Sequence, residues 1–237
     1  MTARAGCRVT HEALSGYFPD GRFAQRLNAL PEFGCIYVRN AKVGTASVLM
    51  WLHRIHTGDQ HWVPERSVHA EHAVPGVEDL GEDRLAAMLA GDAFRFSFVR
   101  DPLRRAESAY LNRIVQMPRY LGRVKLQRAL GLPEDAAGHL TPEQFVAALE
   151  VLEPMAMNPH WRPQHLNLMH PLVPYDLLGR LETFADDLGR IQEAAGLPRV
   201  PAEVRNASNR RGGAPFDAGQ LRRLRRVYEA DCDLYGY

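Results

Sequence analysis

Cysteine is scarce in this 237-residue chain, which has only Cys7, Cys35 and Cys232. Their number is odd, and their spacing fits neither a metal knuckle nor a redox pair. A disulfide-stapled scaffold is excluded, and a reducing compartment, the cytoplasm, is the expectation. Long apolar runs are missing as well; nothing approaches the roughly 18 residues that a membrane span needs. The opening "MTARAGCRVTHEALSGYF" lacks the continuous apolar centre of a signal peptide. No sign of charge dominates. A net charge of +1 gives no global attraction to nucleic acid or to a membrane surface, and leaves only local basic patches open. Repeats and low-complexity segments are absent. Hydrophobic residues make up 46% and charged residues 24%, so the composition is that of an ordinary globular protein, long enough for one sizeable core and short for two. The expectation is a single domain over 1–237, with residues 1–33 an extension that carries little signal beyond the "PDGRF" turn.

What is present is alternation. Apolar, β-rich runs at 34–39 ("GCIYVR"), 94–100 ("FRFSFVR") and 175–180 ("YDLLGR") read as strands. Helical spacing marks 45–56, 82–90, 101–116, 141–152, 183–196 and 217–235. Asp101 is placed to cap the third of these helices, with Pro102 at its first position, and Thr45 or Ser47 to cap the first. Residues 57–76, 117–140 and 205–216 read as connections. Strands alternating with helices predict an α/β fold, a P-loop-like, mostly parallel β-sheet flanked by helices on both faces. Ligands of such sheets sit at the carboxyl ends of strands.

Two stretches fall at such ends. In "IYVRNAKVGTASV" (36–48) an apolar run opens into Lys42, Gly44 and small hydroxyl residues before a helix. Backbone N–H groups converge at a helix N-terminus and favour an anion there. Gly44 permits close approach, Lys42 supplies a full charge, and Thr45 and Ser47 can donate hydroxyl hydrogen bonds. The plain alternative is a strand-to-helix turn with a solvated lysine. The stretch is not the G-x-x-x-x-G-K-[ST] form, which disfavours a nucleoside triphosphatase. In "FSFVRDPLRRAESAY" (96–110) Arg100 ends a strand and Ser108 follows on the helix; an arginine so placed can fork onto phosphate oxygens. The alternative is that Arg100 pairs with a carboxylate and Ser108 is an ordinary helix position.

"KVGTAS" followed by "FVRDPLRRAESAY" resembles the two cofactor motifs of the sulfotransferases that use 3′-phosphoadenosine 5′-phosphosulfate (PAPS), in particular the Golgi carbohydrate sulfotransferases acting on chondroitin, dermatan and related glycans. "NPHWRPQHLNL" (158–168), "YDLLGRLETFADDL" (175–188) and "VYEADCDLYGY" (227–237) are similar to later blocks of that family, in the same order. The chain departs from it in having Ala41 where the family has proline, and "LMHPL" (168–172) where the Golgi enzymes have a cysteine pair. A soluble, bacterial-type member is the natural inference.

The resemblance implies transfer of a sulfuryl group from PAPS to a hydroxyl of a carbohydrate or similar acceptor, with no metal required. It implies that Lys42 and the amides of Val43, Gly44, Thr45, Ala46 and Ser47 hold the 5′-phosphosulfate. Arg100 and Ser108 would hold the 3′-phosphate, and Arg210 in "SNRRGG" would close over the nucleotide. The acceptor needs a general base. His69 in "SVHAEHAV" is the candidate and His72 the next, since relatives place a histidine after the first helix. The plain reading of both is a surface histidine. His53 and His56 read as packing or solvent-facing, a metal site from the H-x-x-H spacings lacks a third ligand, and Trp161 with His160 reads as buried structure rather than a sugar platform. The arginines of 220–230 read as a solvated helix face, and the basic stretch 119–128 as either that or an acceptor-side patch. Two rival functions remain open: a P-loop small-molecule kinase, and a non-catalytic nucleotide- or glycan-binding protein of this fold.

Overall fold

The computed structural model describes residues 9–18, 20–117, 119–133, 140–201, 203 and 214–237. In chain order these form α1 (His11–Ser15), β1 (Leu27–Leu30), β2 (Cys35–Val38), α2 (Thr45–Thr57), α3 (Val68–Glu71), α4 (Val77–Leu80), α5 (Glu82–Ala90) and β3 (Phe94–Val99). They continue with α6 (Pro102–Ala109), a π-helical turn (Tyr110–Val115), α7 (Arg123–Ala129), α8 (Pro142–Val151) and α9 (Gln164–Asn167). β4 (Leu177–Arg180), α10 (Phe184–Ala194), α11 (Ala218–Val227) and α12 (Glu229–Tyr235) complete the order. The described residues fall into two compact units. One draws on the described residues up to Asn40, on Gly44–Phe98 and on those from Leu168 to Glu203, the other on Ala41–Val43, on those within Val99–Asn167 and on those from Ala214 to Tyr237.

The first unit is built on a four-stranded sheet in the order β1-β2-β3-β4, with helices around it, the α/β class that the alternation predicts. The sheet is mixed. β2 and β3 run parallel, with Tyr37 opposite Phe96, whereas β1 is antiparallel to β2, with Leu27 opposite Val38. All four residues of β2 are buried, which is why that strand reads as an unbroken apolar run. Ile36, Val38, Leu49, Trp51, Phe96 and Phe98 are among the core residues. Gly179 on β4 is required by packing: a Cβ there would lie 2.5 Å from the Phe98 ring. Two buried hydrogen bonds tie the ends of neighbouring strands, Ser97 Oγ to the Val38 carbonyl at 2.6 Å and Asn40 Nδ2 to the Phe98 carbonyl at 3.1 Å.

The second unit packs helices about Tyr110, Phe145, Trp161, Phe216, Leu224 and Tyr228. Trp161 is fully buried, so the structural reading of that residue holds. Arg222, Arg225 and Arg226 of α11 are exposed, as a solvated helix face requires, whereas Arg223 departs from that reading and is spent on α8, reaching Glu150 at 2.6 Å and Glu143 at 2.5 Å.

Several boundaries differ from the sequence expectation. The connection 57–76 contains α3, and 117–140 contains α7. The helix expected over 101–116 changes to π-helical winding at Tyr110, and the closing helix breaks at Tyr228, whose φ of −109° and ψ of 20° leave the helical region. Neither Thr45 nor Ser47 caps α2. The cap position is Gly44, at φ 85°, without a side-chain hydrogen bond; Thr45 Oγ1 donates back to the Asn40 carbonyl instead.

Candidate active site

The residues expected to form a site lie in both units. In the second, Lys42 and Arg100 come together: Arg100 Nη1 donates to the Lys42 carbonyl at 3.4 Å. Lys42 has a left-handed backbone, φ 69°, uncommon for a residue with a side chain. Its ammonium donates to Asn112 Oδ1 at 2.9 Å. Burial, and then the charges of Arg113, Arg100 and Arg105, bring the Lys42 ammonium down from 10.5 to about 8. Val43 beside it is fully buried and anchors the loop.

The second motif is positioned from its own side chains. Asp101 caps α6 by accepting from the amides of Leu103 at 2.8 Å and Arg104 at 2.9 Å, with Pro102 at the first helical position, as the sequence predicts. The Gln164 side chain holds the Arg100 backbone from both sides. It accepts from the Arg100 amide at 3.0 Å and donates to the Arg100 carbonyl at 2.8 Å. Gln164 is fixed in turn by Asp231, a fully buried carboxylate that accepts from the Gln164 amide at 2.6 Å and the His165 amide at 2.9 Å, and lies 2.7 Å from His165 Nδ1. Ser108 is half-buried on α6, one helical turn before Asn112.

Arg105, which the sequence reading passes over, is the structural centre of this unit's cationic region. It is fully buried, and its three nitrogens donate at 2.8 Å to the carbonyls of Ala41, Arg162 and Pro159. Burial lowers its pKa. Its bond to Ala41 fixes the loop one residue before Lys42. Arg113, on the π-helical turn, lies over the Tyr120 ring and donates from Nη1 to the Met117 sulfur at 2.9 Å, a weak acceptor. Burial and the charges of three arginines thus together loosen the hold of the lysine on its proton. Such an arrangement is suited to binding a multivalent anion.

In the first unit, α2 begins at Thr45, and its intrahelical bonds start with the Val48 amide on the Gly44 carbonyl at 3.1 Å. The amides of the first turn therefore precede the helical ladder and point along the dipole's positive end. Gly44 is needed twice: its φ is 85°, and a Cβ would meet Leu181 Cδ1 at 3.0 Å. His69 is exposed on α3. His72 is half-buried, and burial, followed by the charges of Arg39, His69 and His53, lowers it to about 4. His53 is packing, as expected: it stacks on Trp62, and its Nδ1 accepts from the Ala73 amide at 2.9 Å. His56 Nδ1 lies 2.8 Å from Glu32. Arg210 lies outside the described residues.

The model of the Sulfotransferase family matches residues 32–237, both strand-end motifs included. The chain belongs to the sulfotransferase family. Among its relatives, carbohydrate sulfotransferase 14 of Mus musculus is 34% identical over 117 residues, 47% of this chain and 30% of the relative. Carbohydrate sulfotransferase 11 of Mus musculus is 30% identical over 44% of this chain and 33% of its own length. Carbohydrate sulfotransferase 10 of Xenopus laevis is 25% identical over 97% of this chain and 70% of its own length. The chain thus spans about a third of the first two relatives. No solved structure matches it.

The Asn112 partnership with Lys42 left no signal in the sequence, since Asn112 lies on a π-helical turn 70 residues away. Arg105 left none either, since arginine in "PLRRAES" reads as solvent-facing.

Proposed function

We propose that this sulfotransferase moves a sulfuryl group from PAPS to a hydroxyl of a carbohydrate or glycan-like acceptor. The observation that carries the reading is the gathering of Lys42, Arg100, Arg105 and Arg113 in one unit, where burial first, and then the charges of the three arginines, lower the lysine to about 8. The acceptor class rests on the relatives, which are carbohydrate sulfotransferases by name.

The donor set fits PAPS, whose anionic groups call for separate cations. When bound, PAPS supplies an activated sulfuryl group on a phosphate leaving group. Lys42 binds the phosphosulfate and neutralises charge that develops on the bridging oxygen. The loop from Val43 through Gly44, Thr45, Ala46 and Ser47 adds amides at the start of α2. Arg100, its backbone fixed by Gln164, and Ser108 hold the 3′-phosphate. Arg210 keeps its place in the proposal on the resemblance alone. These side chains supply the neutralisation that a metal would otherwise provide. His69 is the proposed general base. His72, at about 4, binds a proton too weakly to compete for that role near neutral pH. A reducing compartment accords with Cys35 and Cys232, which are both buried free thiols.

Calorimetric titration with adenosine 3′,5′-bisphosphate, beside ATP, ADP and AMP, tests the reading. Selective binding of the bisphosphate, weakened at least tenfold in Lys42→Ala and Arg100→Ala, is the expected result. Preference for ATP, or no binding, would sink it. With cofactor binding established, His69→Ala should lower transfer by about 10²–10⁴-fold while leaving the bisphosphate affinity unchanged.

A further inference from the structure

The chain has two lysines, Lys42 and Lys125. Lys125 is exposed and donates to the Ala156 carbonyl at 3.0 Å. Lys42 is held differently. Its ammonium meets the side-chain oxygen of Asn112 at 2.9 Å, and the nitrogen of that same amide donates to Gln116 Oε1 at 3.2 Å. The ammonium can only donate, so it takes the oxygen of the Asn112 amide, and the amide nitrogen is left to bond Gln116. Asn112 lies within the π-helical turn Tyr110–Val115, a winding frequent at functional sites. The charged groups acting on the lysine are Arg113 from that turn, Arg100 from the end of β3 and Arg105 from α6, all cations. In such a field a carboxylate would be the expected neighbour. An amide stands there instead, and it can direct the ammonium without cancelling its charge.

We propose that Asn112 is the positioning residue that aims the Lys42 ammonium, a neutral acceptor that leaves the full charge of the lysine for the bound donor. The inference rests on the reading of Lys42 as the donor-binding lysine.

Asn112→Asp and Asn112→Ala test it. Acylation of lysine amines in the ligand-free protein, followed across pH by peptide mass spectrometry, reports the titration of Lys42, with Lys125 as internal standard. Both variants are first checked for a wild-type melt. The carboxylate of N112D should move the Lys42 midpoint upward from about 8 by a unit or more, leave Lys125 unmoved, and carry the alkaline limb of the transfer rate up with it. N112A, which removes a hydrogen bond to a charged group, should lower kcat by about ten- to a hundredfold with little change in donor KM. An unmoved Lys42 midpoint in N112D, or a wild-type kcat in N112A, would overturn the proposal. If the midpoint moves in a protein that ignores the bisphosphate, the Asn112–Lys42 pairing stands and the cofactor reading falls instead.

Discussion

The two strand-to-helix turns solve one problem in opposite ways. After β2, the backbone does the work. Lys42 and Gly44 take positive φ, and α2 starts without a side-chain cap. After β3, side chains do it. Asp101 takes the amides of Leu103 and Arg104, Pro102 removes another donor, and Gln164 grips the backbone of Arg100. A helix end whose amides are already satisfied has little left to offer an anion, so its turn must offer a guanidinium. A helix end left uncapped can offer its own N–H groups. The same layout therefore presents uncapped amides after β2 and a guanidinium after β3, the two kinds of donor on which the proposed anion site draws.

The contrast can be broken where the second turn supports the first. Arg105→Met removes three hydrogen bonds to buried carbonyls and should cost about 3–5 kcal/mol, read as a lower midpoint in urea unfolding. A cost below about 1 kcal/mol would mean that Arg105 does not hold the loop. The backbone-made turn should be intolerant of a methyl group: Gly44→Ala combines a positive φ with the Leu181 contact and should cost about 2 kcal/mol by the same measurement, with weaker bisphosphate binding. Its lysine should also make binding depend on pH. Lys42 must be charged to hold an anion, so affinity should be full below its pKa of about 8 and fall about tenfold between pH 7 and pH 9. In the ligand-free protein the sign reverses. Between about 8 and 10.5 the unfolded chain holds more protons than the folded one at this position, so the Lys42 contribution to stability rises with pH. The smallest effect belongs to the side-chain turn: Asp101→Ala should cost about 1 kcal/mol, the price of an N-cap. If Asp101→Ala instead disturbs bisphosphate binding more than Gly44→Ala does, the division of labour between the turns is wrong.

Much of this arrangement was legible in the sequence because it follows from local pattern. β2 reads as a strand from an unbroken apolar run and β3 from phenylalanines at every second position, and Arg100, Asp101 and Pro102 read as a strand end, a cap and a helix start. β1 was not legible. Its four residues include Asn28, a buried polar group whose amide nitrogen donates to the carbonyls of Val74 at 3.1 Å and Pro75 at 3.3 Å, partners 46 and 47 residues away. Arg105 escaped for the same reason. Its partners are carbonyls, which every residue has, so no side-chain pattern announces them. The capping of α2 was misread because a hydroxyl at the start of a helix has two uses, and Thr45 turns back to Asn40. Lys42 was found as a charge at a strand end, but its neutral companion was not, because the π-helical turn that carries Asn112 has no distinct sequence signature.

The bonds around Gln164 bear on the order in which the parts are made. Arg100 leaves the ribosome long before the residues that fix it, since Gln164 is 64 positions later and Asp231, which fixes Gln164, a further 67. Contacts that distant close slowly, because the intervening chain must first give up its freedom. During synthesis the strand ending in Arg100 can pair with its neighbours while the arginine itself still lacks its hold. On the proposed reading, the end of the site that holds the 3′-phosphate takes its final form only once α12 has been made, which would tie the onset of cofactor binding to that helix.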